Sequence, residues 1–217
     1  MSVAVAGDPL VLYGDGLRGR RGRSLLARLA DGRAVRLDLE RWLGPVDAAD
    51  EGVIARALAP VLDIGCGPGR HLIACQRRGL PALGVDISAV AVAEARRRGA
   101  VAIEGCVFAG VPDAGAWGTA LLLDGNIGIG GDAVALLRRA AALLGAGGRV
   151  LGEVGAPGAP TRVDRVRLEC GRAHSAWFPW ALVGVDGLAA VAVDAGLQVD
   201  EVWEAGGRWF ARLDAAA

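Results

Sequence analysis

The chain has 217 residues, of which 53% are hydrophobic and only 5% aromatic, so it is long enough for one domain with a substantial and mostly aliphatic core. All 24 basic residues are arginines, and they balance 24 acidic residues, which leaves no net charge to attract nucleic acid or an anionic membrane. No run of about 18 apolar residues predicts a membrane-spanning helix, and the four cysteines lack the spacing of a zinc site or a disulfide framework.

The first 45 residues are predicted to form an extension ahead of the main domain. The stretch Arg18–Arg23 is basic and interrupted by glycines, which favours a solvated loop, with a phosphate-binding arm as the alternative. Asp31-Gly32 separates two alternating apolar and polar runs within residues 24–40, a pattern typical of a β-hairpin. A helix is then predicted from Asp47 to Leu58, because acidic residues in its first turn favour the helix dipole.

The most informative segment reads V-L-D-I-G-C-G-P-G and begins at Val61. A buried strand is predicted over 61–65 and a helix over 69–79. The glycines between them let the backbone turn tightly and approach a ligand without a Cβ in the way, and the helix points its unpaired N–H groups at that ligand. The segment therefore predicts a binding site for a nucleotide-like molecule. The three glycines of this turn are Gly65, Gly67 and Gly69.

Two other glycine-rich motifs are excluded by the residues present. The dinucleotide fingerprint G-x-G-x-x-G needs its third glycine where this chain has Arg70. A phosphate-binding P-loop needs a lysine, and the chain has none. Asp63 stands two residues before the first glycine, where an acid would repel a pyrophosphate but suits a cationic amino group.

This D-x-G-x-G-x-G pattern after an apolar strand resembles the first motif of the class I S-adenosylmethionine-dependent methyltransferases. The resemblance implies a Rossmann-like α/β fold with a mostly parallel sheet and an antiparallel C-terminal strand. It also implies S-adenosylmethionine as cofactor and S-adenosylhomocysteine as product. The cofactor-binding residues that it implies in this segment are Asp63, Gly65, Cys66, Gly67 and Gly69.

A second acidic residue, Asp86, ends the short apolar run 82–86 and follows Gly65 by 21 residues. In a βαβ unit this spacing places the carboxylate at the end of the second strand, where it can accept both hydroxyls of a ribose. Two such charge-assisted hydrogen bonds contribute about 1.5–3 kcal/mol each. A lone Asp in this position is also a common helix cap, but Ser88 is available to cap the helix predicted over 88–98.

The remaining pattern alternates between strands and helices, as a parallel α/β sheet requires. A short link containing Pro112 and two glycines takes the place of a helix after the third strand. Family members close their sheet with an antiparallel pair, which the resemblance places at the last two strands. We assign residues 1–45 to the N-terminal extension and 46–217 to the methyltransferase domain, with an accessory segment at 156–182. Strands are predicted at 101–104, 119–123, 149–154, 161–170, 197–204 and 208–213, and helices at 132–144 and 186–195.

Ligands of an open α/β sheet collect at the carboxyl ends of its strands. The resemblance implies that adenine lies between Ile87, which follows the ribose acid, and the turn after the third strand. Many relatives carry an Asp in that turn, whereas this chain has Gly105-Cys106-Val107. Backbone N–H groups at Cys106 and Val107 are therefore expected to bind the adenine.

Three residues are candidates for catalysis. Asp124 and Asn126 follow the fourth strand, in the loop that faces the transferable methyl group in this fold. Asp124 is expected to bind the methionine amino group or accept a proton, and Asn126 is expected to orient the acceptor. The alternative is that both side chains only cap backbone N–H groups of a glycine-rich turn. His174 is preferred as the general base, with an ordinary loop histidine as the alternative, because His71 is expected to turn toward packing or solvent. His174 lies beside Trp177 and other aromatic residues that either wall the acceptor site or fill the core.

The sequence thus predicts a cytoplasmic methyltransferase that transfers a methyl group to a small-molecule acceptor with an O-, N- or C-nucleophile. The alternatives are a nucleic-acid or protein methyltransferase and a non-catalytic protein that binds S-adenosylmethionine. Zero net charge and the absence of an Asn/Asp-Pro-Pro-aromatic loop make a nucleic-acid substrate unlikely. No metal, membrane association or signal peptide is expected.

Overall fold

The computed structural model describes residues 7–19 and 24–215. The last part of the basic stretch Arg18–Arg23 therefore lies outside the described residues. The helices are α1 (Pro9–Leu17), α2 (Leu39–Leu43), α3 (Ala48–Ile54), α4 (Arg70–Arg77), α5 (Ala89–Arg97), α6 (Ala133–Leu143) and α7 (Val185–Asp194). The strands are β1 (Leu26–Leu29), β2 (Ala34–Arg36), β3 (Val61–Ile64), β4 (Ala82–Asp86), β5 (Ala102–Glu104), β6 (Trp117–Leu122), β7 (Leu144–Val154), β8 (Arg162–Cys170), β9 (Ala173–His174), β10 (Phe178–Leu182), β11 (Leu197–Ala205) and β12 (Arg208–Ala215).

A seven-stranded sheet forms the centre of the molecule, in the order β11-β12-β7-β6-β3-β4-β5. The pairs from β7 to β5 are parallel, whereas β12 lies antiparallel to both β7 and β11. The predicted α/β class, the mostly parallel sheet and its antiparallel C-terminal pair are confirmed. The carboxyl ends of β3 to β7 consequently meet at one edge of this sheet.

Both faces of the central sheet are buried, because successive side chains of a strand point to opposite faces. On one face, Leu62 and Leu122 pack in a core with Leu136 of α6. On the other face, Val61 and Leu121 belong to a second core with residues of α3 and α4. Each sheet face is thus covered by helices, as parallel strands require.

The two segments that the sequence pattern left unexplained fold together into a second sheet. The hairpin β1–β2 is present, and β1 pairs antiparallel with β8 between Leu26↔Glu169 and Leu29↔Val166. The full order is β10-β8-β1-β2, with β9 paired to β8. The N-terminal extension and the accessory segment, which we assigned to different domains, therefore contribute strands to the same sheet.

The predicted strands and helices occur close to their expected bounds, with differences at turns. Sequence analysis missed α1 and α2, and the helix predicted from Asp47 is α3, with Asp47 as its capping residue. The helix α6 ends at Leu143 and β7 begins at once, at Leu144, so the glycines predicted to precede the strand lie inside it. Residues 126–131 form a 3-10 helix after β6. Within residues 7–19 and 24–215, no helix is both long and apolar enough to cross a membrane.

Candidate cofactor and acceptor site

The glycine turn, residues 65–69, forms a cradle at the carboxyl end of β3. Gly65, Gly67 and Gly69 have φ values of +72°, +53° and +80°, a region that side chains other than glycine rarely adopt. A Cβ on Gly65 would lie 2.7 Å from Asn126 Nδ2, and one on Gly67 would lie 3.2 Å from the Tyr13 hydroxyl oxygen. The backbone itself is therefore the surface that this turn offers to a ligand.

Asp86 lies beside this turn at the end of β4, as predicted. Its Oδ2 accepts a hydrogen bond from the Gly67 N–H at 2.9 Å, and its Oδ1 accepts one from the Ser88 N–H at 2.8 Å. Burial raises the pKa of Asp86, although these two N–H groups oppose the shift. A carboxylate has about four acceptor positions, so capacity remains for a diol. Ser88 caps α5 by accepting the Ala91 N–H at 3.3 Å.

Exposed apolar side chains flank Asp86 where adenine was predicted to lie. Ile87 is 54% exposed and Phe108, which follows the turn after β5, is 47% exposed. Cys106 is exposed, whereas Val107 is buried. Large exposed apolar residues at a sheet edge suit a flat aromatic ligand. Phe108 was missed from the sequence, because a single aromatic residue in a turn carries no pattern.

Asp63 and Cys66 do not face the cradle. Asp63 is 1% exposed, and its Oδ2 lies 3.8 Å from Nδ1 of His71 on α4. The alternation of β3 places Asp63 on the same face as Val61, beneath α3 and α4. The predicted contact between Asp63 and a bound amino group does not fit this enclosed position. Cys66 is 5% exposed and packs in a core with Leu72 of α4.

Asp124 is held in a left-handed turn at the end of β6, with φ of +57°. Its carboxylate accepts hydrogen bonds from Arg70 Nη2 at 2.9 and 3.0 Å, and Arg41 and Arg208 approach to 3.3 and 3.5 Å. Its backbone N–H donates to Glu153 Oε2 at 2.7 Å. Three arginines thus hold this carboxylate beside the glycine turn, and Glu153 holds the backbone of the same residue.

Asn126 and His174 have different surroundings. The Asn126 carboxamide donates to the carbonyl oxygens of Ile64 and Gly65 at 3.0 and 2.8 Å, which ties the loop after β6 to the glycine turn. His174 lies on β9 in the second sheet, and its Nδ1 lies 3.3 Å from the Ser175 carbonyl oxygen. The structure therefore brings Asn126, but not His174, into contact with the cradle.

Tyr13 is a site residue that sequence analysis missed. It lies on α1, packs edge-on against Trp42, and carries its hydroxyl to Gly67. Burial raises the pKa of Tyr13, and the nearby Asp86 and Asp124 add to the rise. Within the described part of the chain its hydroxyl has no hydrogen-bond partner. The lone tyrosine of the chain, on a helix without a motif, offered no signal in the sequence.

A cavity of about 220 Å³, here called the acceptor cavity, opens beside the loop after β6. Gly125 and Ile127 of that loop line it together with Glu153 of β7 and Trp180 of β10. Most of the other lining residues are apolar, from the segments 154–160 and 181–183. Trp177 instead lies 4.9 Å below the guanidinium of Arg167 and is 36% exposed. Of the aromatic residues clustered here, Trp180 is therefore the one that lines this cavity.

Beneath Asp124 lies a buried ionic cluster, here called the Asp50 cluster. Asp50 of α3 is 0% exposed, and its carboxylate accepts hydrogen bonds from Arg70 and from Arg208 Nη1, the latter at 2.7 Å. His71 Nε2 lies 3.5 Å from the same carboxylate. Arg208 also donates to both oxygens of Glu153, at 2.9 and 2.6 Å. The members of the cluster are Asp50, Asp63, Arg70, His71, Asp124, Glu153 and Arg208.

Comparison with known proteins gives a match to one domain model and a shared fold. Residues 61–148 match the family model described as a methyltransferase domain. No curated protein sequence matches the chain. A methyltransferase described as dependent on S-adenosylmethionine, from Bacteroides fragilis and solved with S-adenosylhomocysteine, superposes with a TM-score of 0.80 at 21% identity, covering 99% of this chain and 98% of that one.

Two further solved structures are more distant. The glycopeptide N-methyltransferase MtfA, solved with S-adenosylmethionine, has a TM-score of 0.61 at 14% identity over 78% of this chain and 87% of its own. The O-methyltransferase NcsB1 from neocarzinostatin biosynthesis, solved with S-adenosylhomocysteine and 1,4-dihydroxy-2-naphthoic acid, has a TM-score of 0.54 at 23% identity over 72% of this chain and 49% of its own. The domain match confirms the predicted resemblance to methyltransferases over residues 61–148, and the solved structures share the fold of the chain.

Proposed function

We propose that the protein transfers a methyl group from S-adenosylmethionine to a small-molecule acceptor and releases S-adenosylhomocysteine. The observation that carries the proposal is the glycine turn with Asp86 beside it, at the carboxyl edge of the sheet in a methyltransferase domain. The glycine turn offers backbone instead of side chains, and Asp86 has free acceptor positions for a ribose.

The remaining parts of the cofactor have matching partners along the same edge. Ile87 and Phe108 offer apolar surface to adenine, and the turn at Cys106 offers backbone N–H groups. Asp124 supplies a carboxylate near the far end of the glycine turn, where the ammonium group of the methionine moiety would lie. Tyr13 brings its hydroxyl to the turn at Gly67, and this hydroxyl has no hydrogen-bond partner among the described residues.

The chemistry asks for alignment more than for acid–base groups, since a bound sulfonium supplies an already activated methyl group. The protein has to hold the acceptor in line, with its nucleophilic atom roughly 3 Å from the methyl carbon. The loop after β6 does this by position: Asn126 is pinned to the glycine turn, and Gly125 and Ile127 line the acceptor cavity. Asn126 and His174 stay predictions as catalytic residues.

The acceptor cavity favours a small molecule. Its volume of about 220 Å³ admits a compact body, its walls are mainly apolar, and Trp180 offers a flat surface. Glu153 is the acidic residue that lines it, and Arg208 already neutralises that carboxylate. NcsB1, an O-methyltransferase, was also solved with a bound small molecule, 1,4-dihydroxy-2-naphthoic acid. A protein or nucleic-acid substrate would instead require a broad charged surface, for which zero net charge gives no support.

Calorimetric titration tests the cofactor assignment. Replacing Asp86 with alanine is expected to weaken S-adenosylhomocysteine binding by about 1.5–3 kcal/mol, because the ribose loses its charged acceptor. Asp194→Ala, an exposed carboxylate at the end of α7, is the matched control and should bind as wild type does. NAD should not bind either protein. Equal affinities of wild type and Asp86→Ala would contradict the assignment, and binding without methyl transfer to any acceptor tested would favour the non-catalytic alternative.

The Tyr13 hydroxyl is expected to contribute to cofactor binding but not to folding. Tyr13→Phe should weaken S-adenosylhomocysteine binding by about 0.5–1.5 kcal/mol, the usual effect of losing one hydrogen bond. The thermal midpoint should stay unchanged, since the hydroxyl has no partner among the described residues. Calorimetry and a thermal melt on the same preparation check both statements. A lowered midpoint with unchanged affinity would show that Tyr13 serves only to pack α1.

A further inference from the structure

A second cavity, here called the arginine cavity, has a volume of about 420 Å³ and lies on one face of α4. One wall is the segment 43–46 between α2 and α3, and Ile73 and Ala74 form an apolar floor. Three arginines complete the lining, Arg70 and Arg77 from α4 and Arg98 from the end of α5. No acidic residue lines this cavity within the described chain. It therefore combines apolar surface with concentrated positive charge.

Arg70 is shared between the arginine cavity and the Asp50 cluster. Its two terminal nitrogens bind Asp50 and Asp124, whereas its Nε is buried and has no hydrogen-bond partner in the described residues. The side chain is only 2% exposed. A buried N–H of a charged group without a partner is costly, so this atom indicates that a further acceptor belongs beside it.

The other two arginines, Arg77 and Arg98, have no hydrogen bond to a carboxylate within the described residues. Arg98 donates to backbone oxygens alone, from Nη1 to Pro68 at 2.9 Å and from Nη2 to Gly44 at 3.1 Å. Burial lowers the pKa of Arg98, although Glu94 partly opposes this. Arg77 is exposed and has no hydrogen bond or ion pair within residues 7–19 and 24–215. The positive charge of this cavity is thus largely uncompensated.

We propose that the arginine cavity binds a small organic anion, a carboxylate or phosphate monoester on a short apolar body. The anionic group would lie between Arg77 and Arg98, where guanidinium groups bind such oxygens in pairs. The apolar body would rest on Ile73 and Ala74. The volume falls in the range of ordinary small-molecule sites. This site is separate from the proposed cofactor and acceptor sites, and the proposal does not depend on methyl transfer.

Binding of model anions to the full chain tests the proposal. Phenyl phosphate and benzoate are expected to bind saturably in calorimetry or in a ligand-observed NMR titration, whereas the neutral benzyl alcohol should not. Inorganic phosphate should bind more weakly, since it lacks the apolar body. Arg77→Gln should lower the affinity for phenyl phosphate about fivefold, as expected for one accessible charge pair, and Arg77→Glu should lower it further. Arg172→Gln, an exposed arginine without a partner in the described residues, is the matched control and should bind as wild type does.

Three results would overturn the proposal. One is the absence of saturable binding by wild type for either aromatic anion. Another is displacement of the anion by saturating S-adenosylhomocysteine, which would place it in the cofactor site. The third is an equal loss of affinity in Arg77→Gln and Arg172→Gln, which would show non-specific attraction. Arg77→Gln is expected to melt as wild type does because its side chain is exposed, and Arg77→Glu provides a second reading at the same position.

Discussion

Asp50→Ala is expected to lower the free energy of unfolding by about 3–5 kcal/mol, because it leaves buried cations without their counter-charge. Asp50 is 0% exposed and receives hydrogen bonds from Arg70 and Arg208, with His71 at 3.5 Å. Its carboxylate also accepts the Asp47 N–H at 3.1 Å and so completes the capping box of α3. Arg41 Nη2 donates to the same carboxylate at 3.4 Å, so one truncation removes both a helix cap and the group shared by four cationic side chains.

The electrostatics of Asp50 support the size of this effect. Burial by itself would raise the pKa of this carboxyl, but the nearby His71 imidazole and the hydrogen bond from Arg208 outweigh burial and hold the pKa well below its usual range. A carboxyl whose folded pKa is depressed contributes stability that is present above its unfolded pKa of about 4 and is lost as the pH falls below it. The destabilisation should therefore be largest near neutral pH.

Urea denaturation of wild type and two variants at pH 7 measures the effect. Glu51→Ala is the matched control, since Glu51 is the next residue of α3 and pairs with Arg78 in a partly exposed salt bridge at 2.6 Å. Its loss should cost under about 1 kcal/mol. If both variants lost equal stability, the Asp50 cluster would contribute no more than a surface pair. Activity should fall in Asp50→Ala as well, because Arg70 and Arg208 also hold Asp124.

The local parts of the fold could be predicted because their signals lie in short stretches of sequence. The turn with Gly65, the acid Asp86 and the start of a helix at residue 132 each follow from a few neighbouring residues, and the structure has all three in place, with Asp132 capping α6. The central sheet then follows from the regular alternation of strands and helices. These elements needed no knowledge of long-range contacts.

The second sheet and much of the site could not be predicted, because they depend on contacts between distant residues. On the side away from β2, β1 pairs with β8, which is far away in the sequence, and no pattern in either strand predicts this pairing. Tyr13 reaches Gly67 only because α1 folds over the turn. Arg70 was recognised as the residue that excludes a dinucleotide motif, yet its buried pairing with Asp50 depends on how α3 packs against α4.

The misplacement of Asp63 shows the same limit at a single residue. Its position before the glycine turn matched the motif, but whether the carboxylate faced the ligand or a helix depended on the face of β3 that it occupies. The partner that it meets, His71, was interpreted in the sequence as a residue turned toward packing or solvent. In the structure the imidazole is 3% exposed and lies between two carboxylates, those of Asp50 and Asp63.

His71 is consequently expected to make the stability of the protein depend on pH in the neutral to alkaline range. Burial lowers the pKa of this imidazole, but the carboxylates of Asp50 and Asp63, at 3.5 and 3.8 Å, outweigh burial and raise the pKa to about 9. Because the folded pKa lies above the unfolded value, the stabilisation is complete below about pH 6.5 and is lost as the pH rises toward 9. The loss amounts to about 3 kcal/mol, at 1.36 kcal/mol for each unit of pKa difference.

The comparison with His71→Gln isolates this contribution. Burial also raises the pKa of the Cys66 and Cys75 thiols. Above about pH 8.5 these thiols therefore lower the free energy of unfolding of wild type and of His71→Gln by the same amount. The difference in unfolding free energy between wild type and His71→Gln should therefore be largest at pH 6.5 and should shrink by about 3 kcal/mol by pH 9. His174→Gln, which removes the other histidine, should follow the wild-type curve. A pH-independent gap between wild type and His71→Gln would mean that the buried imidazole is neutral and that Asp50 is balanced by the arginines alone.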